Sequence, residues 1–132
     1  PAAILASLDK RVKKAIAISS VTDWRVESKE KPLDWLAKFT QDAFGHGYRF
    51  QKKNWDKLKK GSFYNPIAKA DFIDGSKILL LHTKDDRVVY YTSTLKFTKK
   101  TSSKLITLKR GGHLGIDYLV QAWKPIAAFL KK

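Results

Sequence analysis

Three short apolar runs, separated by segments with helical spacing, most constrain how this 132-residue chain can fold. The runs lie at 13–19, 77–83 and 104–109. Strands that alternate with helices form a parallel sheet joined by right-handed crossovers. We therefore predict a single α/β domain over 1–132, in which a short parallel sheet of about three strands lies between two helical layers.

The segments between the runs are predicted as helices from the spacing of their apolar residues. These helices cover 33–44, 50–60, 65–70, 88–98 and 116–130, and residues 2–8 read as the end of another. Because three of them fall within 25–75, that region is interpreted as a helical insertion or connection. The predicted inward face of 88–98 is Val88, Tyr91, Leu95 and Thr98. That of the last helix is Ile116, Leu119, Val120, Trp123, Ile126, Ala127 and Leu130, with a kink or a new turn at Pro125.

The second and third runs end in residues that can do acid–base chemistry. Asp85 and Asp86 follow the second run, and His113 follows the third. The carboxyl ends of parallel strands meet at one edge of a sheet, where open α/β folds bind ligands. An acid followed by a histidine has the chain order of the last two members of a Ser-Asp-His triad. From these residues alone, a helix cap at Asp86 and a turn residue at His113 are the simpler interpretation.

The charge balance raises a different class of function. The net charge is +15, from 27 basic and 12 acidic residues, which is typical of a module that binds nucleic acid or an anionic surface. However, 22 of the basic residues are lysines spread along the chain, and arginine is the usual reader of bases and phosphates. We therefore expect only weak, non-specific binding of polyanions.

The composition also bounds the compartment and the cofactors. The chain has no cysteine, which excludes a disulfide framework and a thiolate metal or redox site. No metal ion or cofactor is predicted. No apolar run has membrane-spanning length and no secretory leader is recognised, so a cytoplasmic location is expected.

Four stretches, taken in order, make the chain resemble the C-terminal half of an α/β-hydrolase catalytic domain, most closely the prolyl-oligopeptidase type. They are the strand and turn at 10–24, the Asn65-Pro66-Ile67 segment, the turn from His82 through Asp86 to Val89, and Gly111-Gly112-His113. The resemblance implies a three-layer half of that fold, carrying part of a serine hydrolase.

The same resemblance implies roles for five residues. Asp86, rather than Asp85, would be the triad acid that orients His113. His113 would take the proton of the nucleophile and return it to the leaving group. The apolar wall of the substrate pocket would be formed by Val21, Trp24 and Val89. Ordinary core packing is the alternative, and it explains Val21 and Val89 equally well.

The chain departs from the family in two ways. Thr83 stands where the family's strand has a glycine, so the acid turn is expected to be altered. More important, no serine lies on a Gly-x-Ser-x-Gly elbow. The resemblance implies a nucleophile a few residues before Pro1, together with an oxyanion donor, so the chain alone is expected to be inactive on small ester or peptide substrates.

The first strand is also expected to mediate self-association. The first strand would lack the partner that leads into the missing elbow, and an exposed apolar edge invites self-association. The alternatives to a hydrolase are the basic binding module and a degenerate hydrolase relic that serves as an interaction domain.

Overall fold

The computed structural model of the chain describes residues 6, 8–26, 33–45, 51–61, 64–113, 115 and 117–131. The order of helices and strands is the predicted one. The elements are β1 (Ala15–Ile18), α1 (Leu33–Phe44), α2 (Lys52–Lys59), two 3₁₀ segments (Pro66–Phe72 and Gly75–Lys77), β2 (Ile78–Thr83), α3 (Tyr91–Thr101), β3 (Lys104–Leu108) and α4 (Asp117–Leu130).

The three strands form one parallel sheet with β2 in the centre. The spatial order is β1-β2-β3, with Ile18 opposite Leu81 and Thr83 opposite Leu108 at the carboxyl edge. Every residue of β2 is buried, as expected for a parallel strand covered on both faces. The register places the residues that follow β2 and β3 side by side at this edge.

Helices cover both faces of the sheet. Side chains alternate along β2, and apolar residues point to each face. On one face, Leu79 and Leu81 pack with a cluster from α4: Ala122, Ile126 and Phe129. On the other face, Ile78 and Leu80 pack with Ala17, Ile73 and Phe97. Each fully buried large apolar side chain contributes about 1.5–3 kcal/mol. The predicted three-layer α/β arrangement is thereby confirmed.

The predicted inward face of α3 is wrong. The helix begins at Tyr91, and its buried residues are Ser93, Thr94, Phe97 and Thr101. The helix starts later than predicted because the amides of Val88 and Val89 bond to the Asp86 carboxylate instead of entering the helix. Buried hydroxyls are tolerated because they are hydrogen-bonded; Thr101 Oγ1, for example, lies 2.6 Å from Ser103 Oγ.

The predicted face of α4 is also largely wrong. Of the predicted residues, Ile126 is buried, but Val120 and Trp123 are 76% and 65% exposed. Ala122 and Phe129 lie inward instead. Apolar residues occur on more than one face of this helix, so their periodicity does not decide which face meets the sheet. The helix continues through Pro125.

The first strand is less covered than predicted. Of its residues, only Ala17 is buried, and Ile18 is 37% exposed. The cause is its place at the end of the strand order, with β2 on one side. Among the described residues, no helix is long and apolar enough to cross a membrane. Most of the predicted helix end at 2–8, the first residue of the helix predicted at 50–60, and Ile116 lie outside the described part of the chain.

Candidate active site

The candidate acid lies in the turn that connects β2 to α3. Asp86 is buried, with 4% of its surface exposed. Its Oδ1 atom accepts hydrogen bonds from the amides of Val88 at 2.9 Å and Val89 at 2.8 Å. An aspartate that bonds amides two and three residues ahead stabilises a turn. These two bonds fix the carboxylate plane and leave Oδ2 for other partners.

The candidate base contacts this carboxylate. The Nδ1 atom of His113 lies 3.0 Å from Asp86 Oδ2. The Asp86 side chain is 0% exposed, whereas that of His113 is 29% exposed. Because an ionised carboxylate only accepts hydrogen bonds, neutral His113 carries its proton on Nδ1 and its lone pair on Nε2. A histidine in this state can take a proton from a group placed beside Nε2.

The turn that carries His113 is held from two sides by residues at the end of β2. Asp85 accepts hydrogen bonds from the amides of Gly111 at 3.3 Å and Gly112 at 3.1 Å. Thr83 Oγ1 donates to the Gly112 carbonyl at 2.7 Å. Gly112 has φ +61°, a conformation that disfavours other residues. The end of β2 therefore supplies both the candidate acid and the residues that hold the histidine turn.

The electrostatics of the two adjacent aspartates differ. Asp85 is exposed, and the backbone amide of Gly112, aided by that of Gly111, lowers the pKa of its carboxyl group. Asp86 is buried and accepts from two amides and an imidazole. Asp85 thus holds the turn, while Asp86 contacts the histidine.

A second histidine lies behind Asp86. His82 is 1% exposed, and its Nε2 atom lies 3.1 Å from Asp86 Oδ2 and 2.8 Å from the Val89 carbonyl. Its Nδ1 atom lies 2.8 Å from Thr94 Oγ1. In the sequence, His82 stands out only as the start of the acid turn, and Thr94 carries no signal of a role. The four-residue spacing between His82 and Asp86 was the signal available for this contact.

The three predicted pocket residues lie at the same edge of the sheet or next to it. Val89 is 9% exposed, and both its amide and its carbonyl serve the acid turn. Val21 and Trp24 follow β1 and are half-buried. The amide of Trp24 donates to Asn65 Oδ1 at 3.2 Å, which joins this turn to the Asn65-Pro66 segment. A role for all three as a pocket wall stays a prediction.

Asn65 also fixes the neighbouring aspartate. Its Nδ2 atom donates to Asp23 Oδ1 at 2.8 Å, and Arg25 pairs with the same carboxylate. Burial works to raise the pKa of Asp23, but the hydrogen bonds from Arg25 and Asn65 outweigh it and the pKa is lowered. The turn after β1 is therefore held by buried and half-buried polar contacts.

Among the residues that the structure describes, there is no cluster of metal ligands, and not every buried polar group is hydrogen-bonded. Within these residues, no group of three or more His, Cys, Asp or Glu side chains has the arrangement of a metal site. Three buried polar atoms there have no hydrogen-bond partner: Ser19 Oγ, Thr22 Oγ1 and Trp24 Nε1. All three lie in the stretch that follows β1.

This sheet, its helical layers and its edge are those of part of an α/β-hydrolase fold. A solved structure with this fold, the 2-hydroxy-6-oxo-6-phenylhexa-2,4-dienoate hydrolase BphD from Rhodococcus sp. strain RHA1, superimposes with a TM-score of 0.51 at 15% sequence identity. The match covers 96% of this chain and 57% of that protein. No protein-family model and no curated protein matches the sequence.

Proposed function

We propose that this chain supplies the acid and the base of a serine hydrolase of the prolyl-oligopeptidase type. The observation that carries the proposal is the 3.0 Å contact between His113 Nδ1 and Asp86 Oδ2. Asp86 holds the imidazole with its lone pair on Nε2 and stabilises the imidazolium that forms. His113 takes the proton of a nucleophilic serine and then delivers it to the leaving alcohol or amine.

The nucleophile and an oxyanion donor come, in this proposal, from a segment upstream of Pro1. The match to only 57% of a structure with this fold supports this view. Residues 1–132 then form the C-terminal portion of the catalytic domain, and 25–75 form a helical connection within it. Val21, Trp24 and Val89 line the pocket for a small ester or peptide substrate. Acid and base without a nucleophile leave most of the reaction barrier in place, so the chain alone is inactive.

The test compares the product of the complete gene with the 132-residue chain, using a fluorophosphonate probe that bonds covalently to activated serines. We expect labelling of the gene product and none of the chain. His113→Ala and Asp86→Asn in the gene product should each slow labelling, by up to about 10⁴-fold for the aspartate. The matched control is His46→Ala, a histidine that the sequence places in a loop.

Two results would overturn the proposal. One is a gene product that contains no serine reactive toward the probe. The other is labelling that His113→Ala and His46→Ala affect equally. Ester hydrolysis by the 132-residue chain itself that His113→Ala abolishes would contradict the expected inactivity.

We further propose that the isolated chain self-associates through β1. This strand lies at the end of the sheet order, and its Ile18 is 37% exposed. A second copy pairing along the same edge would satisfy the backbone groups of both. Light scattering should give a mass above 15.1 kDa for the chain, and Ile18→Lys should reduce it.

The control for this test is Val26→Lys, a change at a residue that is 45% exposed outside any strand. It adds the same charge without placing it on the edge. A monomeric chain at high concentration, or an equal effect of both lysines, would contradict edge pairing.

A further inference from the structure

We infer that His82 is a positioning residue, which holds the Asp86 carboxylate toward His113 through the close contact of its Nε2–H edge with the same oxygen atom. The geometry places His82 Nε2 at 3.1 Å and His113 Nδ1 at 3.0 Å from Asp86 Oδ2. The inference rests on the proposed function of Asp86 and His113. It gives the buried side chain of His82 a role in positioning Asp86 in addition to its role in packing.

The partners of His82 decide where its proton lies. Nε2 faces two atoms that only accept hydrogen bonds, the Val89 carbonyl and the Asp86 carboxylate. It must therefore carry a proton. Nδ1 then accepts from the hydroxyl of Thr94 at 2.8 Å. Neutral His82 is the Nε2–H tautomer, which donates to the Val89 carbonyl, whereas neutral His113 is the Nδ1–H tautomer, which donates to Asp86 Oδ2.

This arrangement holds the buried carboxylate in one rotamer. Its Oδ1 atom accepts hydrogen bonds from the amides of Val88 and Val89, and its Oδ2 atom accepts one from His113 and lies 3.1 Å from His82 Nε2. Burial of an ionised carboxylate is tolerated only when such donors compensate for lost water. His82 is 1% exposed and is hydrogen-bonded to Thr94 on α3, so its ring N–H is shielded from solvent. Without this ring, Oδ2 would keep only its hydrogen bond from the more exposed His113.

The experiment records ring-nitrogen chemical shifts of the ¹⁵N-labelled 132-residue chain at a pH of about 8, where imidazole is ordinarily neutral. We expect opposite tautomers for His82 and His113, and a low-field Nδ1–H signal from His113. In His82→Leu this signal should be lost or shifted to higher field. His82→Gln, which can return an N–H donor near the position of Nε2, should restore it.

A matched variant separates positioning from packing. Thr94→Val keeps the shape of the side chain but removes the hydroxyl, so the His82 Nδ1 resonance should move while the His113 signal remains. If His82 has only a structural role, His82→Leu lowers stability but leaves the His113 Nδ1–H signal unchanged in the folded chain. That result, or a proton on Nδ1 of neutral His82, would overturn the inference.

Failure of the inference and failure of the proposed function are distinguishable. If the gene product resists the serine probe while the His113 signal still depends on His82, the positioning contact stands and the hydrolase proposal does not. If labelling depends on His113 but neither labelling nor the His113 signal responds to His82→Leu, the hydrolase proposal stands and the positioning role is refuted.

Discussion

Two regions of the molecule are stabilised by different kinds of interaction. The sheet unit, residues 78–113, contains β2, α3 and β3, and the side chains of His82, Asp86 and Thr94 are buried and hydrogen-bonded within it. The helical segment, defined as 33–45 and 51–61, has no fully buried residue among those whose side chains the structure describes. There Phe39 is 50% exposed and stacks on Trp35. The candidate site therefore lies in the region whose geometry is set by burial.

Similar apolar patterns in the two regions are buried to different extents, and they therefore contribute differently to stability. Both regions have aromatic residues at helical spacing, yet Phe97 is 0% exposed and Phe44 is 61% exposed. Burial of apolar area provides the largest stabilising contribution, while exposed ion pairs contribute little. Matched pairs of substitutions, one in each region, test this difference in stability.

The largest difference is expected between two phenylalanines. Phe97→Ala removes a fully buried ring and should lower the free energy of unfolding by about 3–5 kcal/mol. Phe39→Ala removes a ring that is half exposed, and we expect a loss of about 1 kcal/mol or less. Urea denaturation followed by circular dichroism measures both. Equal losses would show that the helical segment packs as tightly as the sheet unit.

A smaller difference is expected between two threonines. Thr83→Val removes the hydroxyl that binds the Gly112 carbonyl at 2.7 Å, and should cost about 1 kcal/mol. Thr40 Oγ1 bonds the Leu36 carbonyl one turn back in its own helix at 2.8 Å, so Thr40→Val should change the free energy by only a few tenths.

A second readout locates the effect of Thr83. The amide signals of Gly111 and Gly112 should shift in Thr83→Val and stay in place in Thr40→Val. If Thr83→Val leaves both the stability and these signals unchanged, the hydroxyl does not hold the histidine turn.

The order of elements and the edge of the sheet could be predicted from the sequence because each depends on local signals. An apolar run followed by an acid or a histidine locates a strand end without any knowledge of packing. The contact between Asp86 and His113 then follows from two neighbouring parallel strands. Their catalytic role remains a proposal.

The inward faces of α3 and α4 could not be predicted in this way. In α3 the buried positions include Thr94, whose hydroxyl is satisfied by His82, a partner far outside the helix. In α4 the choice between Phe129 and Trp123 depends on which face meets β2. The expectation that Thr83 alters the acid turn stays a prediction, and the hydroxyl of Thr83 binds the histidine turn. Such contacts depend on tertiary structure.

Acidification should weaken the histidine turn through Asp85. The Gly112 and Gly111 amides lower the pKa of Asp85 in the folded chain. A group whose pKa is lower in the folded state stabilises it above the ordinary pKa, and this contribution is lost as the pH falls through the folded value. The amide signals of Gly111 and Gly112 should therefore move only in the acidic range, below the ordinary pKa of aspartate.

Asp85→Asn is the control for that titration. The amide oxygen of asparagine can still accept a hydrogen bond but has no charge to lose, so the acidic shift of the two glycine signals should vanish. If the shift persists in this variant, another group causes it. The expected effect on stability is small because Asp85 is exposed.

The smallest effect is expected for the ion pair between Lys38 and Asp42 on α1. The Nζ and Oδ2 atoms lie 2.7 Å apart, but the side chains are 76% and 61% exposed. Water screens such a pair, and the lysine precedes the aspartate, which is the less favourable order along a helix. A double-mutant cycle with alanine at both positions should give a coupling free energy of about 0.5 kcal/mol or less, reduced further by salt. A cycle between Asp86 and His113 should give a larger value, because Asp86 is shielded from solvent. If the two couplings are equal, the hydrogen bonds of the sheet unit hold its geometry no better than a surface ion pair does.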